Sequence, residues 1–333
     1  MIFTDLRCLL KNKGKIRGAV PAVLLLVSVL AGLSLFIGKY PLSLAELLAG
    51  NERQLQVFVT LRLSRTLTAL IGGAALGLAG FIFQTVFRNG LASPDIIGIS
   101  SGAGAGAAVG MLCFGTALSL TLFSFAGALL ALFLTLLLAS ADRMGKSRIV
   151  LAGIAVHALF QALLMCLKLL ADPERELQAI EYWIMGSLAD ISLNKVGLPL
   201  ALCLLCMVIS CLLYRQTVLL SLDEGEARML GLRVGAVRLA VLLSASLMVS
   251  SVVSLTGLIS FVGLLAPHGA RLMTGGHSRR TMVLSALLGA LLLTGADILA
   301  RSVSASELPV SVFTSLIGAP VLVMLALGRR EEA

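Results

Sequence analysis

Three sets of side chains in this 333-residue chain carry chemistry. Arg62 and Arg65 stand three residues apart in RLSR, so a helix would put both on one face. Paired guanidinium forks bind carboxylates in a fixed orientation, which suits recognition of an acidic partner or anchoring at a polar boundary. Arg301 follows a distant apolar run, four residues after Asp297. It reads either as a further carboxylate fork or as half of an internal Arg301–Asp297 pair. His157 lies within LAGIAVHALFQALLMCLKLL, with Gly153, Gln161 and Lys168 around it. At ~100° per residue these positions share an arc of about 80°, one polar stripe on an apolar helix. An ionisable side chain in lipid costs on the order of a few kcal/mol. The stripe therefore faces a cavity or a partner helix, unless His157 only satisfies one internal hydrogen bond.

Other chemistry is missing. No G-x-x-x-x-G-K-[ST] loop occurs, so the chain does not bind ATP in that way, and no HExxH helix offers a zinc site. Proton-coupled transport usually needs a carboxylate deep in the membrane; Asp95 and Asp297 are the candidates, and the apolar pattern puts both near span ends. Cys203 and Cys206 form a CxxC inside an apolar run with no further ligand nearby, so buried thiols are expected and no metal. His268, with Pro267 and Arg271, reads as the close of a helix at the membrane surface.

The elements that position these groups are membrane helices. Hydrophobic residues make up 58% of the chain and charged ones 13%. Apolar runs cover 19–38, 63–87, 149–170, 192–213, 281–301 and 309–328, and two longer stretches, 95–139 and 235–274, must each fold back once. The expectation is a single transmembrane domain over 1–333, all-α, with about ten spans. A basic tail (1–18, with Arg7, Lys11, Lys13, Lys15 and Arg17) marks the cytoplasmic side. With that tail inside, most lysines and arginines fall inside, whereas acidic residues divide almost evenly. Both tails are basic, so both termini are expected in the cytoplasm. The net charge of +9 is then a topology signal, not a nucleic-acid footprint. Residues 19–38 read as a retained signal-anchor rather than a cleaved leader.

Two segments connect spans without being apolar enough to cross. The hinge RNGLASPD, 88–95, joins two glycine-rich runs. Past it, Gly98, Gly102, Gly106 and Gly110 recur every four residues, a bare stripe for close packing or for lining a path. SLDEGEARMLGLRV, 221–234, is too charged to span and reads at minimum as a short surface helix, with Ala227, Leu230 and Val234 on one face.

Three ordered blocks carry a resemblance. They are RLSR to the hinge and the G-x-x-x-G-A helix start (62–103), GLISFVGLLAPHGARLM (257–273) and ELPVSVFTSLIGAPVLVMLALGRR (307–330). From about Leu61 to the C-terminus the chain resembles the permease family of bacterial ABC importers for iron–siderophore, haem and cobalamin complexes. Ser64 and Gly90 stand where that family usually has proline. The resemblance implies two pseudo-symmetric halves in the bacterial inner membrane, and a homo- or heterodimer of permeases. It implies a separate ATPase that uses the ATP, no cofactor on this chain, and an extracytoplasmic binding protein. By resemblance, Arg62, Arg65 and Arg301 receive glutamates of the binding protein. The fifth helix (Gly153, His157, Gln161) and the helix carrying Gly102 and Gly106 border the substrate pathway. Asn89, Gly90 and Leu91 border the inner gate. Glu226, Ala227, Leu230 and Gly231 belong to a coupling helix that docks on the ATPase. SPDIIG (93–98) is most similar to siderophore permeases, with haem or cobalamin as the alternative cargo. A secondary transporter or channel is the rival of another class.

Overall fold

The computed structural model describes residues 18–38, 40, 42–140, 147–304 and 307–328. The basic tail, apart from Gly18, lies outside the described residues. Among those described, all regular structure is helical.

The order is α1 (Ala19–Phe36), α2 (Leu44–Leu48), α3 (Glu52–Val57), a π-helical turn (Phe58–Leu63), α4 (Ser64–Val86), α5 (Ile99–Cys113), α6 (Ala117–Ser140) and α7 (Ser147–Leu170). Then come α8 (Glu176–Ile184), α9 (Leu193–Leu212), α10 (Tyr214–Leu219), α11 (Glu224–Met229), α12 (Val234–Thr256), α13 (Val262–Thr274), α14 (Arg279–Ser302) and α15 (Val310–Gly328). Six helical stretches are long and apolar enough to cross a membrane: 19–36, 52–86, 117–138, 150–170, 234–256 and 279–302. Three shorter apolar helices, 99–113, 196–212 and 310–324, accompany them. Each of the two long stretches divides into two helices, α5 and α6 in the first and α12 and α13 in the second.

α4 is the central helix. Phe81, Phe83, Leu78 and Ile82 are almost wholly buried, and α12 contributes Leu242, Met248 and Val249 to the same core. Glycine makes the tightest crossing possible. Gly73 of α4 meets Gly289 of α14 backbone to backbone, where a Cβ on either would collide with the other's carbonyl. Between helices that gain nothing from leaving water, such close packing is the main attraction. The outward faces of α1, α7, α9 and α15 stay apolar and exposed, as with Leu25, Leu169, Leu212 and Leu316.

Helix ends carry the polar devices. Asn51 caps α3 by accepting from Arg53 and Gln54 N–H at 3.1 and 3.4 Å. Ser278 and Thr281 form a reciprocal capping box on α14. One expectation fails here: Pro267 does not close its helix but sits inside α13, which runs to Thr274 and stops at Gly275 in the left-handed conformation. Its ring removes one intrahelical hydrogen bond.

Candidate functional site

The three arginines converge at the end of the molecule where α1, α4 and α14 meet. The π turn inserts one extra residue per turn just before α4 and swings Arg62 away from Arg65. Arg62 donates to the carbonyls of Ile37 and of Tyr40, the latter at 2.9 Å. It occupies the space over Gly38, where any side chain would strike its guanidinium. Arg65 donates Nε to Asp297 at 2.8 Å and a terminal nitrogen to Glu307 at 2.7 Å. Arg301 takes the other Asp297 oxygen at 2.8 Å and donates to Ser34 and Ile37 carbonyls at 3.0 Å each. Asp297 is 0% exposed. Three cations and two carboxylates thus form one buried cluster. The internal Arg301–Asp297 pair exists, and all three arginines are buried on partners within the chain.

The expected pathway residues separate into two groups. Gly102 and Gly106 of α5 pack on α6, with a Cβ on Gly102 falling 2.5 Å from the Gly127 carbonyl. Gly153 is pressed against the backbone of Ile96 and Ile97. These three glycines are crossing points where neighbouring backbones approach closely. His157 and Gln161 lie half-buried on α7. The Nδ1 of His157 is buried with no hydrogen-bond partner among the described residues, and the ring is within electrostatic reach of Asp95. Lys168 leaves the stripe to pair with Glu181 of α8 at 2.8 Å. Asp95 is half-buried and accepts the Ser100 hydroxyl at 2.5 Å. GISSG at 98–102 has the spelling of a nucleophile elbow, yet Ser100 donates directly to the Asp95 carboxylate and Ser101 to the Gly98 carbonyl, an arrangement without the intervening histidine of a hydrolase triad.

The hinge and the charged segment come together at the opposite end. Asn89 closes its own turn: its side chain accepts from Leu91 N–H at 3.0 Å and its carbonyl from Ala92 N–H at 3.1 Å. α11 forms where expected. Ala227 is buried beneath it, whereas Glu226 and Gly231 are exposed, and Leu230 is exposed beside Met229 at 88%. Met229 was not among the expected residues, although its apolar side chain beside charged neighbours was visible in MLGLR. Glu224 receives Arg238 at 2.5 Å and Arg228 at 3.6 Å. The Arg238 hydrogen bond holds the Glu224 carboxyl below the usual range. Arg88, also unanticipated, reaches across from the hinge to Asp223 at 2.5 Å and to the Leu220 carbonyl at 3.3 Å.

α4 and α11 end in the same motif. At α11, Leu232 N–H bonds to the Ala227 carbonyl and Gly231 N–H to Arg228, with Gly231 at φ 79°. At α4, Asn89 N–H bonds to Gln84 and Arg88 N–H to Thr85, with Arg88 at φ 49°. The second places an L-residue where glycine belongs, a departure costing on the order of 1–2 kcal/mol.

A basic cluster at one end of an apolar bundle and a charged surface helix at the other are the marks of a membrane permease. The profile of the FecCD transport family matches residues 24–328. The chain belongs to the FecCD transport family. It is 40% identical over 324 residues to the Fe(3+) dicitrate transport system permease protein FecD of Escherichia coli, covering 93% of this chain and 99% of that one. It is 35% identical over 315 residues to the molybdate import system permease protein MolB of Haemophilus influenzae, covering 90% and 93%. Among solved structures it is similar to an inward-facing conformation of a metal-chelate type ABC transporter, with TM-score 0.82, 34% identity, and 93% of this chain and 98% of that chain covered. This FecCD member is therefore a multi-pass transport subunit of the ABC importer permease class.

Proposed function

We propose that this FecCD member imports a metal chelate, ferric siderophore above all, as one of two permease chains in an ATP-driven complex. It crosses the inner membrane about ten times, with both termini in the cytoplasm. A binding protein docks over the arginine cluster and releases the chelate between the permeases, where His157 and Gln161 face the path. Asn89, Gly90 and Leu91 border the inner gate. A separate ATPase receives α11, with Ala227 as its packed base, Glu226 and Leu230 at the contact and Gly231 ending the helix.

The observation that supports this reading best is the polarity of the molecule. Carboxylate-binding groups gather at one end, and an exposed Met229–Leu230 pair on a charged helix stands at the other. A docking carboxylate reaches Arg65 by displacing Glu307, whose side chain is 24% exposed. The ferric cargo is supported by the FecD likeness, and MolB shows that an oxyanion is carried on the same scaffold.

The test is uptake by host cells lacking this chain, with and without a plasmid copy. The probes are iron-55 as ferric dicitrate or ferric enterobactin, hemin, cyanocobalamin and molybdate. Restoration of one ferric chelate alone is expected. Restoration of only molybdate would overturn the chelate, and restoration of none, with the protein present in the membrane, would overturn the importer reading.

A further inference from the structure

Arg88 is one of only two non-glycine residues with positive φ among those described, and it holds the slot that glycine fills at the end of α11. A backbone held in an unfavourable region is evidence that the side chain attached to it is needed. Nothing else at the end of α4 needs an arginine there, since the two closing hydrogen bonds are made by backbone alone. What the side chain does is cross to a different part of the chain. One nitrogen meets the carboxylate of Asp223, the residue that begins α11, and another meets the carbonyl of Leu220, three residues earlier. The planar fork thereby fixes both position and direction of the segment entering α11.

The bond itself contributes little to holding the fold. Asp223 is 78% exposed and the pair stands in water. It is, however, the described side-chain ion pair that ties the hinge to the segment leading into α11. Next to Arg88 the hinge is stiff: Asn89 is locked by its own turn, so displacement of Arg88 carries Asn89 to Ala92 with it.

We infer that Arg88 is a positioning residue that transmits movement of α11 to the inner hinge, acting as a strut between the ATPase contact and the gate. The inference rests on the coupling reading of α11 given above. It adds the route by which that helix reaches the gate. Two arrangements of one linked element are what such transmission needs, and Arg88 joins them through one exchangeable ionic contact.

The experiment uses the complete complex purified with its own ATPase. Leu91→Cys is the reporter, in a background with Cys8, Cys113, Cys166 and Cys211 changed to serine. A membrane-impermeant maleimide labels it in inside-out vesicles, without nucleotide and with ATP plus vanadate. The parent should change its labelling rate at least about fivefold between the two states. Arg88→Gly relaxes the backbone yet should abolish that change while the ATPase still co-purifies. Arg88→Asp alone should do the same, and Arg88→Asp with Asp223→Arg should restore the response. A merely structural Arg88 would give a normal or improved response in Arg88→Gly, and that result would overturn the strut. So would a double variant no better than the single one. A parent complex that holds no ATPase, or shows no nucleotide response, would overturn the coupling reading and the strut with it.

Discussion

The two charged regions of this permease are built in opposite ways. The arginine cluster is dry and densely paired: Asp297 is 0% exposed, Arg301's side chain 2%, and each guanidinium has more than one partner. The hinge contact is wet and sparse, one arginine on a carboxylate that is 78% exposed. Burying charges in low dielectric makes each partner indispensable, because a survivor left alone has lost both water and counter-ion. An ion pair in water is exchanged at small cost. The first arrangement belongs to a region that must keep α1, α4 and α14 in register. The second suits the movement that the strut proposal assigns to the hinge.

The largest effect that follows is on Asp297. Asp297→Ala leaves Arg65 and Arg301 without their shared counter-ion and should cost about 3–5 kcal/mol. Thermal unfolding in detergent measures it, and an unchanged midpoint would erase the contrast between the two regions. A smaller effect is expected at Glu307. Glu307→Gln weakens a charge-assisted bond to Arg65 at the half-exposed edge of the cluster and should cost about 1.5–3 kcal/mol. The same change frees Arg65 for an outside carboxylate, so the binding protein should dock more tightly by surface plasmon resonance. Weaker docking would mean that Glu307 belongs to the docking face and is no competitor for it.

The smallest effect concerns acid. The Glu224 carboxyl is held below its usual range by Arg238, so the folded state binds the proton less readily than the unfolded chain does. The stabilising contribution is therefore complete above the ordinary glutamate range and is lost as pH falls through the lower folded value. Unfolding midpoints followed from pH 7 down to about 3 should show this shallow loss, and Glu224→Gln should flatten it. A Glu224→Gln protein with the parent's full acid slope would place that slope elsewhere.

Much of the fold was legible in composition and run length, because lipid admits only helices whose backbone is satisfied within the segment. The helix at 224–229 was legible for a similar reason, as charge density excludes it from a span. The fates of individual polar residues were not. Arg62 and Arg65 at a spacing of three promise one shared face, and a π turn between ordinary helices sends them to different partners. Their burial also means that reversing both charges would damage the fold before it reported on docking. Asp297 and Glu307 meet Arg65 across more than two hundred residues, a contact no local pattern encodes. Glycine spacing on α5 marked a close approach correctly but not its identity; the neighbour is α6. Arg88 was visible in the hinge as one more cytoplasmic cation, and only its backbone conformation sets it apart.

The most direct measurement is mass spectrometry of the complex purified from its native host through a tag on this chain. The account predicts a co-purifying ATP-binding subunit, together with a second permease chain, either a further copy or a related one. A chain that emerges alone across several mild detergents would contradict it and point to a transporter driven without an ATPase.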